Sequence, residues 1–103
     1  MKLHYCQACG KVSVDRYGSQ PLSVGWDESC MMNAVVIDPS EHWEALRSQI
    51  MWGTYGKDGK GPLEYVSLAD MSTDHIRAVL SKCGHISRER RRLFTMELCY
   101  RLQ

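Results

Sequence analysis

No stretch of this sequence approaches the roughly 18 consecutive apolar residues that a membrane-spanning helix needs. The opening "MKLHYCQACG" carries a lysine but lacks the apolar centre of a secretion signal. The expected setting is therefore the cytoplasm, with no membrane partner. Low-complexity linkers and internal repeats are missing too, so the 103 residues are expected to form one domain, 1–103. Strong net charge is also lacking, the formal total being +1, but that total hides an asymmetry. Residues 1–70 hold six Lys/Arg against nine Asp/Glu, a net of −3, whereas 71–103 hold seven against three, a net of +4. An acidic front and a basic tail give the molecule a direction.

Catalytic signatures are equally scarce. The carboxylates form no evident acid–base pair, and the loop "GKDGKG" leads into a strand pattern. The helix amides that would cradle a phosphate are therefore not in place. Cys83 and His85 are close in sequence, yet Cys83 falls in phase with Ile76 and Leu80, where burial makes a thiol inert. His42 and His75 sit where histidines cap or pack. The chain is not expected to be an enzyme, and a thiol enzyme is the catalytic reading that remains.

What the sequence does contain begins with "HYCQACGK". Cys-x-x-Cys followed by glycine is how one half of a tetrahedral zinc site is often built, because the turn aims both sulfurs at one point. No second Cys-x-x-Cys follows. Cys6 and Cys9 therefore leave two readings open: no cofactor, with the thiols acting as small apolar groups at a strand end, or one structural zinc. For the zinc, His4 and Cys30 are the natural remaining ligands, and Cys83 with His85 the alternatives. Five cysteines, an odd count, argue against a disulfide framework in a reducing compartment.

The periodicity predicts an α+β domain. "KVSVDRY" and "PLSVGW" alternate and read as two strands, and the apolar run "CMMNAVVID" reads as a third. Asp38-Pro39 opens a helix whose apolar face is Trp43, Leu46 and Ile50, with Ala45 beside it. A hairpin through the glycine loop follows. Then come two helices, capped by Ser72 and Ser87 and joined by "CGHIS". The expected architecture is a small antiparallel sheet of about five strands, packed with one middle helix and a C-terminal antiparallel helical hairpin.

"RERRRLF" sets Arg88, Arg91 and Arg92 on one side of the last helix, with Arg90 pointing elsewhere. These four guanidinium groups suit phosphate or carboxylate, so nucleic acid or an acidic protein surface is a conceivable partner, against a plain solvated face.

From Trp52 to Leu80 the pattern "W-x-T-x-G-K-D-G", a short strand, and "LADMSTDHIRAVL" resembles small uncharacterised bacteriophage and prophage proteins. In those, a hairpin leads into a helix start of the form D-M-[ST]-x-x-H-[LI]. The matching residues are Asp70, Met71, Ser72, His75 and Ile76. The resemblance implies no chemistry. It implies a phage context, in which small proteins bind host proteins such as defence or nucleic-acid machinery. The leading expectation is thus a non-enzymatic module that modulates or inhibits a host protein, with Trp52, Tyr55, Arg88, Arg91 and Arg92 as contacts. The alternative is a zinc-stabilised nucleic-acid-binding protein that uses the basic C-terminal helix.

Overall fold

The computed structural model describes residues 2–56 and 59–103, so Lys57 and Asp58 of the glycine loop lie outside the described residues. The fold is α+β, with two antiparallel sheets and a C-terminal pair of helices. The first sheet has β1 (Leu3–Cys6) at its centre, flanked by β2 (Val12–Ser13) and β3 (Ala34–Ile37). Leu3 faces Ile37 and Cys6 faces Ala34 across the β1–β3 ladder. The second sheet is the hairpin of β4 (Met51–Thr54) and β5 (Glu64–Ser67), in which Trp52 pairs with Val66 and Gly53 with Tyr65.

The expected strand at "PLSVGW" is reduced to a seam between these sheets. Pro21 bridges Ser13, the Leu22 N–H reaches the Val12 carbonyl at 3.2 Å, and the Leu22 carbonyl accepts the Met51 N–H at 2.7 Å. The Ser23 hydroxyl explains why the strand stops. It accepts the Val12 N–H and donates to the Gln49 carbonyl, so a side chain does what a ladder would otherwise do. Val24 and Trp26 then leave the alternation, with Val24 exposed.

The run "CMMNAVVID" is also divided. Asp27 accepts the Cys30 N–H at 3.1 Å and starts the short helix α1 (Glu28–Met32), so only Ala34–Ile37 extends. Beyond it, Asp38 caps a 3-10 turn over Pro39–Glu41 and the helix proper, α2, is only Trp43–Leu46. The apolar face anticipated for this segment still holds, because Trp43, Leu46 and Ile50 are buried while Ala45 stays at the surface.

The last two helices follow their caps. Ser72 accepts the His75 N–H at the start of α3 (Thr73–Lys82), and Ser87 accepts the Arg90 N–H at the start of α4 (Arg88–Arg101). Ile76 and Val79 of α3 meet Leu93 and Phe94 of α4 in a core that also takes Leu3, Leu22, Leu46 and Leu68. Trp52 closes it edge-on against Phe94, ring centroids 5.4 Å apart.

One charge lies inside this core. Glu97, fully buried on α4, accepts from Arg47 at 2.5 Å, from Arg101 at 2.6 Å and from the Trp43 indole at 3.2 Å. Arg101 goes on to the Met71 carbonyl at 2.6 Å and the Thr73 hydroxyl at 3.0 Å, which fastens α4 to the start of α3. Among the described residues no helix is long and apolar enough to cross a membrane.

Candidate metal centre

Cys6 is the last residue of β1, and the chain turns back immediately after it. The Gly10 N–H donates to the Cys6 carbonyl at 2.8 Å, and the Cys6 N–H donates to the Lys11 carbonyl at 2.8 Å. Inside this loop the amides of Cys9 and Ala8 lie near the Cys6 sulfur and favour its thiolate. Such a ring of backbone donors stabilises a thiolate and fixes its direction.

The loop needs Gly10 in the left-handed region, at φ +83. A Cβ there would meet only the Tyr5 hydroxyl at 3.5 Å and Gln49 Oε1 at 3.8 Å, so space is available and the backbone conformation is the obstacle. Gly10→Ala is therefore expected to cost about 1–2 kcal/mol, read as a lower midpoint in urea unfolding. A midpoint equal to wild type would show that the loop relaxes without penalty.

Cys30 comes from the other side. Asp27 fixes α1 so that its one buried residue, Cys30, faces the loop, and the Gln7 N–H binds the Asn33 carbonyl at 3.1 Å just past the helix end. The Cys9 and Cys30 sulfurs are 3.6 Å apart, and all three sulfurs lie within 4.8 Å of one another. Zinc–sulfur bonds of about 2.3 Å in a tetrahedron put neighbouring sulfurs about 3.8 Å apart. The 3.6 Å separation of Cys9 and Cys30 is close to that figure and Cys6 lies within 4.8 Å of both, so this triangle could hold a metal ion.

The two buried thiols differ in acidity. Burial pushes Cys6 up, but the amides of Cys9 and Ala8 and the neighbouring thiols outweigh it, and Cys6 sits below the ordinary thiol range. Burial dominates at Cys30 and pushes it up to about 11. Cys6 therefore gives up its proton more readily than Cys30, whose proton a bound cation has to displace.

The other anticipated ligands lie elsewhere. His4 stands opposite Ser13 and Val36 in the ladders, acts electrostatically on Asp15, and is not one of the clustered groups. Cys83 is half-buried at the end of α3 and His85 is exposed in the following turn; neither belongs to the cluster. All five cysteines are free.

The anticipated contact residues divide in the same way. Tyr55 is exposed, whereas Trp52 is half-buried against Phe94. Arg91 donates to the Leu80 carbonyl at 2.8 Å, and Arg90 to those of Pro21 at 2.6 Å and Met51 at 3.3 Å, so both hold the fold together. Arg88 and Arg92 remain exposed and share a cleft of about 360 Å³ with Lys2, Val14 and Glu89.

Sequence reasoning missed Asp27, although an Asp three residues before Cys30 is the spacing of a helix cap. It also missed Leu63, exposed just before β5, and Tyr65, exposed on β5 opposite Gly53. Compared with known proteins, the chain matches no family model, no curated protein and no solved structure.

Proposed function

We propose that this protein is a zinc-stabilised protein-binding module, phage-encoded as the resemblance of residues 52–80 suggests, that modulates a host protein in the host cytoplasm. One structural zinc on Cys6, Cys9 and Cys30 holds β1, its following loop and α1 together, which suits a domain of 103 residues with a modest core.

The observation that carries protein binding is the outer face of the β4–β5 hairpin. Tyr55, Leu63 and Tyr65 are exposed at 54%, 48% and 57%. A Cβ on Gly53 would lie 3.2 Å from Leu63 Cδ1 and 3.4 Å from Tyr65 Cε1, so both side chains lie over the bare backbone of one glycine. Leu63, Gly53 and Tyr65 thus form one continuous apolar patch with an aromatic anchor, the composition that dominates binding hot spots.

The test is affinity capture of the host partner, followed by its titration against wild type and a Leu63→Ser/Tyr65→Ser variant. Loss of an anchor of about 2 kcal/mol corresponds to roughly 30-fold weaker binding. Affinity within a factor of two of wild type would remove the hairpin as the interface.

The cleft of Lys2, Arg88 and Arg92 favours a second reading, nucleic-acid binding. With Arg90 and Arg91 engaged on backbone carbonyls, few cations are left for phosphates. That reading requires binding that falls steeply with salt and is lost when Arg88 and Arg92 become alanine.

A further inference from the structure

Three sulfurs supply three corners of a tetrahedron, and a zinc-type ion needs a fourth. Among the described residues, the clustered His, Cys, Asp and Glu groups are Cys6, Cys9 and Cys30, and His4 is not one of them. The triangle is not sealed. Cys6 and Cys30 are only 1% and 2% exposed, but Cys9 is exposed at the end of the turn, with Gln7 and Ala8 exposed before it. Past Cys30 the helix ends in Met32, 81% exposed. Closed structural sites surround their ion with four protein ligands, whereas sites with three protein ligands keep one position for a molecule from outside.

Resting on the zinc reading above, we propose that this centre takes its fourth ligand from outside the chain, and that the ligand is a thiolate. Softness argues for sulfur, because three thiolates select a soft or borderline ion, and such an ion accepts a further thiolate readily. Charge balance also allows it. A divalent ion with four thiolates carries a net of −2, and the loop brings partial compensation through the amides of Cys9 and Ala8 at Cys6. Lys11, two residues after Cys9, donates to the Gly25 carbonyl at 3.2 Å, which holds its ammonium against the segment that leads into the Cys30 helix. The thiolate comes from a small thiol, from a partner protein's cysteine or from a second copy of this chain. The bond formed is metal–sulfur, and the thiol proton passes to solvent.

Cobalt(II) reports this directly, since its visible bands depend on the donor set. The full chain, loaded with cobalt anaerobically and without added thiol, is titrated with 2-mercaptoethanol at low protein concentration. A saturable shift of the bands to longer wavelength, with a gain in intensity, supports an external thiolate. The same shift on concentrating the thiol-free protein, with a doubling of mass in sedimentation, supports a second copy as its source. Bands that already have the four-sulfur form in dilute thiol-free protein, and that change in Cys83→Ser, overturn the proposal in favour of a ligand from the chain itself. Bands that ignore thiol but respond to imidazole overturn it in favour of a nitrogen donor. Cobalt uptake with bands insensitive to every addition removes this proposal alone, whereas no uptake of cobalt removes the zinc reading as well.

Discussion

Glu97→Ala is expected to destabilise the fold by about 3 kcal/mol, the lower end of the roughly 3–5 kcal/mol seen when one partner of a buried ion pair is removed. The lower end applies because the guanidinium partners keep some access to water: the Arg47 and Arg101 side chains are 23% and 20% exposed, while that of Glu97 has none. What the substitution leaves behind is two cations, an indole N–H without its acceptor, and an Arg101 that keeps its contacts to Leu68, Ala69, Met71 and Thr73 but loses its carboxylate. In a domain of this size about 3 kcal/mol lowers the melting temperature by roughly 12–24 °C. Glu97→Gln keeps an acceptor and most of the shape, and should fall between alanine and wild type. A loss below about 1 kcal/mol for alanine, measured by urea unfolding, would mean that the cluster behaves like a surface pair and does not anchor α4.

The same cluster sets an acid limit. Burial pushes the Glu97 carboxyl up, but the hydrogen bonds from Arg47 and Arg101 and their charges outweigh it and hold it below the ordinary range. The folded carboxylate therefore binds a proton less readily than the unfolded one. Its contribution to stability is complete above an unfolded pKa of about 4.3 and is lost as pH falls through the lower folded value. In Glu97→Gln this acid-dependent part should disappear from the melting profile. A profile parallel to wild type would assign the acid loss to other carboxylates.

Cys30→Ser is the second large effect. Outer-shell changes around a metal cost roughly 10–100-fold in affinity, and removal of a directly bound sulfur should exceed that. Because Cys30 is the only buried residue of α1, the substitution also frees that helix from the β1 loop. Metal competition with a chromophoric chelator should show the loss for Cys6→Ser and Cys30→Ser. Cys83→Ser should retain wild-type affinity, since Cys83 caps α3 outside the triangle. Equal affinity in Cys30→Ser and wild type would place the ion elsewhere.

The distribution of what could be read in advance has a physical pattern. Capped helices with a long apolar face were legible, as Ser72 and Ser87 show, because cap and periodicity are local signals. β1 was read only as the strand end in one of the two readings of the thiols, because its partner β3 is some thirty residues away and its four residues alternate too briefly to stand out. The run at Cys30–Ile37 misled because a short apolar stretch does not distinguish a buried strand from a helix turn. The deciding residue was Asp27, which lies just outside it.

Cys6, Cys9 and Cys30 are brought together as their types and spacing suggested, while His4, opposite Ser13 in the ladder, is not one of the clustered groups. Arg90 and Arg91 looked like surface charges, since nothing local reveals that the Pro21, Met51 and Leu80 carbonyls need donors. Glu97 did leave a trace. It falls in phase with Leu93 and Phe94 on the apolar side of α4, one turn before Arg101, and a carboxylate at such a position requires a buried cation.

The most direct measurement is native mass spectrometry of protein purified without chelator or added metal, with the melting temperature taken before and after chelation. One zinc per chain is expected, lost on chelation together with a fall in melting temperature. At roughly 4–8 °C per kcal/mol for a domain of this size, even a modest metal contribution is easily resolved. A metal-free chain whose melt does not move on chelation or on addition of zinc would contradict the metal centre. Cys6, Cys9 and Cys30 would then be three reduced thiols packed at the end of a strand.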